Sequence, residues 1–571
     1  MAILGVNAYA HDAGVGLVEP SGFRFAVEEE RFDRVQKSTA FPERGLRYLR
    51  EDLGLSLPDV EHVAFPWRRA RFLYEAVKLG LKRFPPAIRL LSASVTPHMN
   101  VPIALRFFGF RRDLARSFGV AKPPPVRFVA HHLAHACNAY FLSPFDSAAI
   151  LIMDGFGDDC STSSYVAYGS SLRRLHRNEL LDSLGILYAV VTQHLGYRTV
   201  HDEGTVMALA AYGTEALCDE FRKVVRLLPG GAYRLDESFF RFYRYGEKRA
   251  MSRKFLERFG LPRKPGAPLT QQHRDLAFAL QRTTEEVALH VARHLRRTTG
   301  ETNLCLGGGV ALNCLANARI AREAGFEAVF VSPSPNDAGL ALGAALAVAC
   351  LDRPTVARAE TTALLGPSYS ARDMAQALER RGLRWCQPPD VAALAATELA
   401  RGRLVAWFQG QAETGPRALG NRSILADPRD PRAAQRLNSE VKRRAPFRPF
   451  GPSVLAERTG EFFEEVGPAP YMSFAAKVRP GLRAVIPAVT ARDGTARIQT
   501  VGGDHNPLYR RLIEEFERRT KLPMLLNTSF NVQEPMVCTP DGALHTFERS
   551  GVDLLVLGPY VVRREGLPPP R

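Results

Sequence analysis

His131 and His135, four residues apart in VAHHLAHACNAYF, are side chains whose type and spacing could do chemistry. On a helix that spacing puts both imidazoles on one face, one turn apart, where they can share a metal ion. His132 then points elsewhere. The apolar run Ala148 to Met153 reads as a buried strand that delivers Asp154 beside a turn, Gly155-Phe156-Gly157-Asp158. Open α/β sheets place their ligands at that end of a strand. Two imidazoles and a carboxylate form a mixed nitrogen and oxygen set, suited to iron, zinc, manganese or nickel rather than calcium. The alternative is a satisfied histidine pair at a helix end and a turn aspartate. Asp337, in Pro335-Asn336-Asp337-Ala338-Gly339, could add a further carboxylate ligand or, like Asn336, cap the small-residue helix that follows.

A second kind of chemistry is written in glycine and arginine. Gly307-Gly308-Gly309 follows an expected strand, Asn303 to Leu306, and precedes an expected helix over VALNCLANARIARE. Glycines let a backbone approach a nucleotide, and a helix N-terminus favours phosphate. The spacing is not the dinucleotide fingerprint, which disfavours NAD. Further on, QGQAETGPRALGNRSILADPRD sets Arg417 and Arg422 near a polar turn, VKRRAPFRPFGPSVL adds Lys442 and Arg448, and LNTSFN adds Asn527, Ser529 and Asn531. Guanidiniums gathered in this way suit bidentate contact with phosphate.

The elements that must position these groups can be read from periodicity. Residues 1 to 65 predict strand, turn, strand, with His11 and Asp12 in the turn and a hairpin at Glu19 to Gly22, an opening that recurs in actin-like ATPases. Glu28, Glu29, Glu30, Arg31 and Arg34 read as a surface ion network. Residues 68 to 128 are strongly basic and read as helices broken by Pro85, Pro86, Pro97 and Pro102, an insertion that would shape an acceptor pocket. In VHDEGTVMALAAYG, His201, Asp202, Glu203 and Gly204 precede a small-residue helix and suggest a loop closing over a ligand, with Asp202 as a plain N-cap the alternative. Residues 271 to 298 carry sustained helical periodicity. The small-residue helix should end near Leu351. Residues 352 to 370 then read as a linker, and 371 to 571 as a second domain.

Composition narrows the class. At 571 residues the chain has room for two or three cores, and 46% hydrophobic with 24% charged residues excludes long disorder. No apolar run approaches the roughly 18 residues that span a bilayer, and no basic region precedes the apolar start, so a cytoplasmic enzyme without membrane contact is expected. The eight cysteines include no C-x-x-C pair and read as reduced, buried thiols. A formal charge of +17 invites a nucleic-acid reading, but no RNA-binding signature accompanies it. Anionic small molecules explain the charge more economically, and nucleic acid is disfavoured as a partner.

HHLAH, MDGFGD, DEGTVMALAAYG, GGGVALN and PNDAGLALGAA, in this order, resemble the O-carbamoyltransferases of the nodulation and antibiotic-tailoring family, whose type example is the tobramycin carbamoyltransferase. The resemblance covers essentially the whole chain, least so in the basic insertion. It implies an α/β protein: an N-terminal ASKHA (Kae1-like) domain over 1–351, holding Fe(II) or a similar divalent metal, followed by a YrdC-like α/β domain over 371–571. By motif match the metal ligands are His131, His135, Asp154 and Asp337. Asp154, Gly155, Phe156, Gly157, Asp158, Gly309 and Asn313 would hold carbamoyl-adenylate or its nucleotide. His11 is implied as base or orienter for the acceptor hydroxyl, and is expected to be neutral at pH 7. In the second domain Arg417, Arg422, Lys442, Arg448, Ser529 and Asn531 match phosphate and carbamoyl contacts, with Lys442 and Arg448 catalytic. Thr414 stands where many relatives carry an aromatic residue.

The resemblance further implies ATP with Mg²⁺ and carbamoyl phosphate as co-substrates. The partner would be a small hydroxylated acceptor of secondary metabolism, and a homodimer is compatible with it. Carbamoyl transfer to tRNA or protein, and a nucleotide-gated ASKHA binding module, are the alternatives.

Overall fold

The computed structural model describes residues 1–82, 101–241, 250–351, 362–464, 467–503 and 506–565. Part of the basic insertion (83–100, with Pro85, Pro86 and Pro97) and part of the expected linker (352–361) lie outside them. Contacts divide the chain into two units, 1–29 with 37–361 and 30–36 with 362–571. Residues 30–36, expected in the first domain, thus belong with the second.

The first unit carries one topology twice. Strands β1 (Ala2–Asn7), β2 (Gly14–Glu19), β3 (Gly22–Glu28), β4 (Val60–Phe65) and β5 (Val126–Phe128) form a sheet in the order β3-β2-β1-β4-β5. The β1-β2 and β2-β3 pairs are antiparallel, and β1-β4 and β4-β5 are parallel. Strands β6 (Ser147–Met153), β7 (Thr162–Tyr168) and β8 (Ser171–Asn178) open the second copy, which β11 (Asn303–Gly307) and β12 (Ala328–Val331) complete. Its order, β12-β11-β6-β7-β8, is that of the first sheet with the same parallel and antiparallel pairs. The small hairpin β9 (Val225–Leu227) and β10 (Tyr233–Leu235) lies between them in sequence. This duplication is the ASKHA architecture expected above.

One helix holds the two copies together. Leu340–Leu351, LALGAALAVACL, is buried along almost its whole length, as a helix that is apolar on every face must be. It packs on β1 and β2 through Gly5 and Gly16, and on the helix His131–Phe141 through Gly343. A Cβ on Gly5 would overlap the Ala341 carbonyl oxygen, and one on Gly343 would overlap that of Ala134. The long helix Gln271–Thr299 begins at a Thr270/His273 capping box and stops at Gly300, where φ is 71°. Among the described residues no helix is long and apolar enough to cross a membrane.

The second unit is an α/β domain on a mixed nine-stranded sheet. Its strands are β13 (Val405–Phe408), β14 (Arg422–Ala426), β15 (Gly451–Leu455), β16 (Phe463–Glu464), β17 (Phe474–Val478), β18 (Thr495–Val501), β19 (Met524–Ser529), β20 (Leu554–Leu557) and β21 (Tyr560–Arg563). They run in the order β16-β17-β18-β15-β19-β14-β13-β20-β21, and only β15-β18 and β13-β20 are parallel. Helices Ala371–Arg381, Val391–Ala400, Pro507–Thr520 and Pro540–Arg549 pack on it.

Two expectations need correction here. Glu28, Glu29 and Arg31 are buried, not a surface network. The Glu29 carboxylate accepts the Arg44 and Gly45 amides at 3.0 and 2.9 Å, at the start of the helix Glu43–Glu51, where an acid offsets unpaired N–H groups. Residues 203–210 form the small-residue helix expected there, but the capping role offered for Asp202 does not hold. Asp202 precedes it without a side-chain cap bond and pairs with Arg198 at 3.1 Å.

The glycine contacts make a prediction. Gly343→Ala should lower stability by about 1–3 kcal/mol, the usual cost of overpacking. Gly54→Ala is a poor control because φ is 67° there, whereas Gly460→Ala, with open space around the added methyl, should change the denaturant midpoint little. Equal midpoints for the Gly343 and Gly460 variants would refute the close-packing account.

Candidate metal and anion sites

His131 and His135 sit on the first turns of the helix His131–Phe141, fully buried, with both Nε2 atoms turned to one point. Asp154 arrives from the end of β6 and Asp337 from the turn that precedes the Leu340–Leu351 helix. One donor atom from each of the four lies within 4.8 Å of all the others. The two Nε2 atoms are 3.2 Å apart, Asp154 Oδ2 is 3.1 Å from His131 and 3.2 Å from His135, and Asp337 Oδ1 is 3.8 and 3.4 Å from the same atoms. Ligands roughly 2.0–2.2 Å from one tetrahedral ion stand roughly 3.3–3.6 Å apart, so the set fits a divalent metal. The donor chemistry is that of iron, zinc or manganese.

Electrostatics agree with that fit. Burial disfavours charge on His135, but hydrogen bonds to Asp154 and Asp337 overcome it and raise its pKa to about 9. Burial also works against the Asp154 carboxylate, yet the two histidines hold its pKa well below the ordinary value. His132 points away, its Nδ1 2.7 Å from Ser163 Oγ, and burial drives its pKa down to about 3.

His11 reaches the same cluster from the turn after β1. Its Nδ1 is 3.0 Å from Asp12 Oδ2 and 3.7 Å from Asp337 Oδ2, so Asp337 faces His11 with one oxygen and the two ligand histidines with the other. Asp12 is in turn held by Lys37 at 2.9 Å and by Asn336 Nδ2 at 3.2 Å. Burial would keep His11 neutral, but the Asp337 and Asp12 carboxylates raise its pKa to about 9. A divalent ion sharing Asp337 would offset the larger of these two carboxylate effects and lower that value.

Several residues matched to the nucleotide make bonds within the protein. Gly309 N–H donates to Asp154 Oδ1 at 2.9 Å, in a turn Gly309–Leu312 that precedes the helix Cys314–Glu323. Asn313 caps that helix through Ala316 N–H at 3.1 Å and pairs amide to amide with Gln281 at 2.9 and 3.0 Å. Asp158 accepts the His131 amide at 2.9 Å and the Arg68 amide at 3.4 Å, and burial raises its pKa to about 6. Gly157 must be glycine because a Cβ would meet His132 Cδ2 at 2.6 Å. Gly155 stands open, with nothing within 4 Å of an added Cβ, and Phe156 is half-buried beside it.

In the second unit Lys442 follows a π-helical turn, Leu437–Val441, of a kind often found at functional sites. The ammonium is buried and donates to Ser529 O at 2.5 Å, Ser529 Oγ at 3.3 Å, Asn531 O at 2.9 Å and Asn531 Oδ1 at 2.5 Å. Ser529 and Asn531 thus seat the lysine. Burial, with Arg444 and Arg448 nearby, pushes the Lys442 pKa well below its ordinary value. Arg444, which sequence reasoning passed over, lies at the centre of the cations. Its Nε donates to Asn438 Oδ1 at 2.8 Å, its guanidinium lies over Phe450, and its pKa is depressed by burial and by the charges of Arg448, Arg497 and Arg417. Arg444 could have been suspected from its basic surroundings, VKRRAPFR, but only folding brings Arg497 of β18 to this place.

Arg422 is a correction. Its side chain is wholly buried, donates to the carbonyls of Gln409, Asn421, Pro367 and Gly410, and lies 3.7 Å over the Phe408 ring. Those bonds make it a brace for the loop rather than a phosphate contact. Glu413, also buried, completes that brace by accepting the Leu419, Asn421 and Arg422 amides at 2.7–3.1 Å through one oxygen.

Because His135 holds a proton up to about pH 9, metal uptake must displace it. Affinity for Zn²⁺ or Fe²⁺ should therefore rise with pH up to about 9, by about one logarithmic unit per pH unit. Calorimetric titration in buffers of different ionisation enthalpy would check this. Uptake at pH 7 without proton release would count against the four-residue site, as would metal content unchanged by Asp337→Asn.

Residues 2–346 match the family described as Carbamoyltransferase N-terminus, and residues 396–564 match Carbamoyltransferase C-terminus. An uncharacterized protein of Synechocystis is 36% identical over 99% of this chain and 97% of its own length. Nodulation protein NolNO of Sinorhizobium fredii is 37% identical over 99% of this chain and 80% of its own. The 3'-hydroxymethylcephem-O-carbamoyltransferase of Streptomyces clavuligerus is 29% identical over 91% of each chain. With both halves matched and relatives aligned along nearly its full length, the chain belongs to the carbamoyltransferase family, and it is an enzyme.

Proposed function

We propose that this carbamoyltransferase consumes ATP and carbamoyl phosphate, forms carbamoyl-adenylate in its second unit, and transfers the carbamoyl group in its first unit to a hydroxyl of a small natural product. The observation that carries the reading is the gathering of Arg417, Arg444, Arg448 and Arg497 near the buried Lys442. Like charges brought together depress each other's pKa, and a polyanion relieves that repulsion. ATP and carbamoyl phosphate are both polyanions. Loss of phosphate from carbamoyl phosphate to water leaves carbamate. A carbamate oxygen attacks the α-phosphorus of ATP, the bond to the bridging oxygen breaks, and pyrophosphate leaves with Mg²⁺ as its counter-ion. Lys442, seated by Ser529 and Asn531, and the arginines offset the charge of the attacking and leaving groups.

In the first unit the acceptor hydroxyl attacks the carbamoyl carbon, the bond from that carbon to the AMP oxygen breaks, and AMP leaves. A divalent ion, Fe(II) or similar, held by His131, His135, Asp154 and Asp337, would supply Lewis acidity and fixed positive charge there. His11 in its protonated form donates, so its part is to orient the acceptor or the leaving phosphate; it serves as base where a cation shares Asp337. Gly155 and Phe156, open beside Asp154, suit the approach of the adenylate. The acceptor class follows the name of the Streptomyces clavuligerus relative, which specifies an O-carbamoyltransferase of a hydroxymethyl compound. Free thiols and the ATP requirement suit the cytoplasm.

The test is a mass-spectrometric screen of hydroxylated metabolites with ATP and carbamoyl phosphate. A gain of one carbamoyl group on a small molecule is expected; carbamoyl label found in tRNA or protein instead would overturn the acceptor class. Lys442→Ala should cut carbamoyl phosphate-dependent exchange of pyrophosphate into ATP by about 10²-fold or more, while transfer from supplied carbamoyl-adenylate persists. Loss of both half-reactions in a variant with unchanged thermal stability would refute the division of labour between the units.

A further inference from the structure

Residues 30–36 come from the N-terminal part of the sequence, yet they pack within the second unit. They do so through side chains that grip two loops. Arg31 Nη2 donates to the Gly415 carbonyl at 2.5 Å, in the loop that carries Arg417. Arg34 Nη1 donates to Met536 O at 2.8 Å and its Nη2 lies 3.6 Å from Glu534 Oε1, while Gln36 Nε2 donates to Gln533 O at 2.7 Å. The loop so held continues directly from Ser529 and Asn531. Asn531 Nδ2 donates to Glu534 O at 2.7 Å, and Gln533 Nε2 to Arg443 O at 2.9 Å, next to Lys442. The loop is therefore fastened to the lysine on one side and to residues 34–36 on the other.

This arrangement is costly to keep. Arg31 is buried, and its charge works against those of Arg34 and Arg422. A buried guanidinium is held in place by the bonds it makes, and here one of them reaches the Gly415 carbonyl. Arg34 and Lys37 also have φ values of 62° and 56°, a left-handed backbone that is strained for residues with long side chains. Strain of this sort persists where the surrounding structure over-determines it, and it clusters at functional sites.

We propose that Arg31, Arg34 and Gln36 are positioning residues of the anion site in the second unit, setting the Gly415 loop and the 530–537 loop that present Arg417 and seat Lys442. The inference rests on the adenylate-forming reading above, and its test separates the two. In the full-length protein carrying Arg34→Ala and Gln36→Ala, both at half-buried positions, amide hydrogen exchange over 530–537 should quicken about fivefold or more while the sheet is unchanged. Arg31→Met should do the same over 411–418. The Arg34→Ala, Gln36→Ala protein should also lose about tenfold in pyrophosphate exchange into ATP, chiefly through a raised KM for carbamoyl phosphate, and Arg34→Lys should recover most of it. Unaltered amide exchange over 530–537 overturns the inference, as does a loosened loop with undiminished pyrophosphate exchange. If the unsubstituted protein exchanges no pyrophosphate but the loop still loosens in the variant, the adenylate reading falls and the positioning role stands.

Discussion

The first site depends on how closely one helix can lie against its neighbours. Asp337 precedes the Leu340–Leu351 helix, and His131 and His135 open the helix His131–Phe141. Gly343 takes up the contact between those helices at the Ala134 carbonyl, one residue from His135. Gly5 and Gly16 let the same helix approach β1 and β2, and β1 ends just before the turn that carries His11 and Asp12. A side chain at any of these glycines would separate groups that must stand within hydrogen-bond distance. The geometry of the four-residue cluster is thus set by backbone-to-backbone packing, which a side chain at these glycines would break.

The two sites handle charge in opposite ways. Around His131, His135, Asp154 and Asp337, acids and imidazoles are mixed, so the cluster can hold protons when no ion is bound, and His11 and Lys37 extend the balance outward through Asp337 and Asp12. Near Arg444 and Lys442 the groups that set each other's pKa are mostly of one sign. Lys442 is seated by neutral oxygens, with no carboxylate in ion-pair contact among the described residues. A balanced cluster of this kind neutralises itself, whereas like charges gathered together repel each other.

Much of the first unit was legible because its signals are local. The strand Ala148–Met153, the helix after Thr270 and the i, i+4 histidines follow from periodicity and spacing alone, and the grouping of Asp154 and Asp337 with those histidines followed from motif resemblance. What stayed hidden were effects that depend on burial and on partners distant in sequence. A Glu-Glu-Glu-Arg run looks like solvated surface until Glu29 is found capping a helix and Arg31 is found inside the second unit. The approach of His11 to Asp337, more than three hundred residues later, is likewise invisible until the chain is folded. The contribution of Arg497 needs β18 to lie beside β15, a pairing no local pattern specifies.

Arg417 and Arg422 show why residue type within a motif does not settle a role. They are five positions apart in one glycine-punctuated loop, and both match the same set of anion contacts in the sequence. In the fold Arg422 begins β14, its side chain turned inward to four carbonyl oxygens, while Arg417 remains half-buried where its charge is felt by Arg444. The inward guanidinium adds donors to the carbonyls of the tight turn, and Glu413 accepts the amides of that turn. Both ions therefore act on the backbone of the loop. A loop whose own polar groups are satisfied from within holds the arginine it carries in a fixed place, because no unsatisfied group in it competes for that charge.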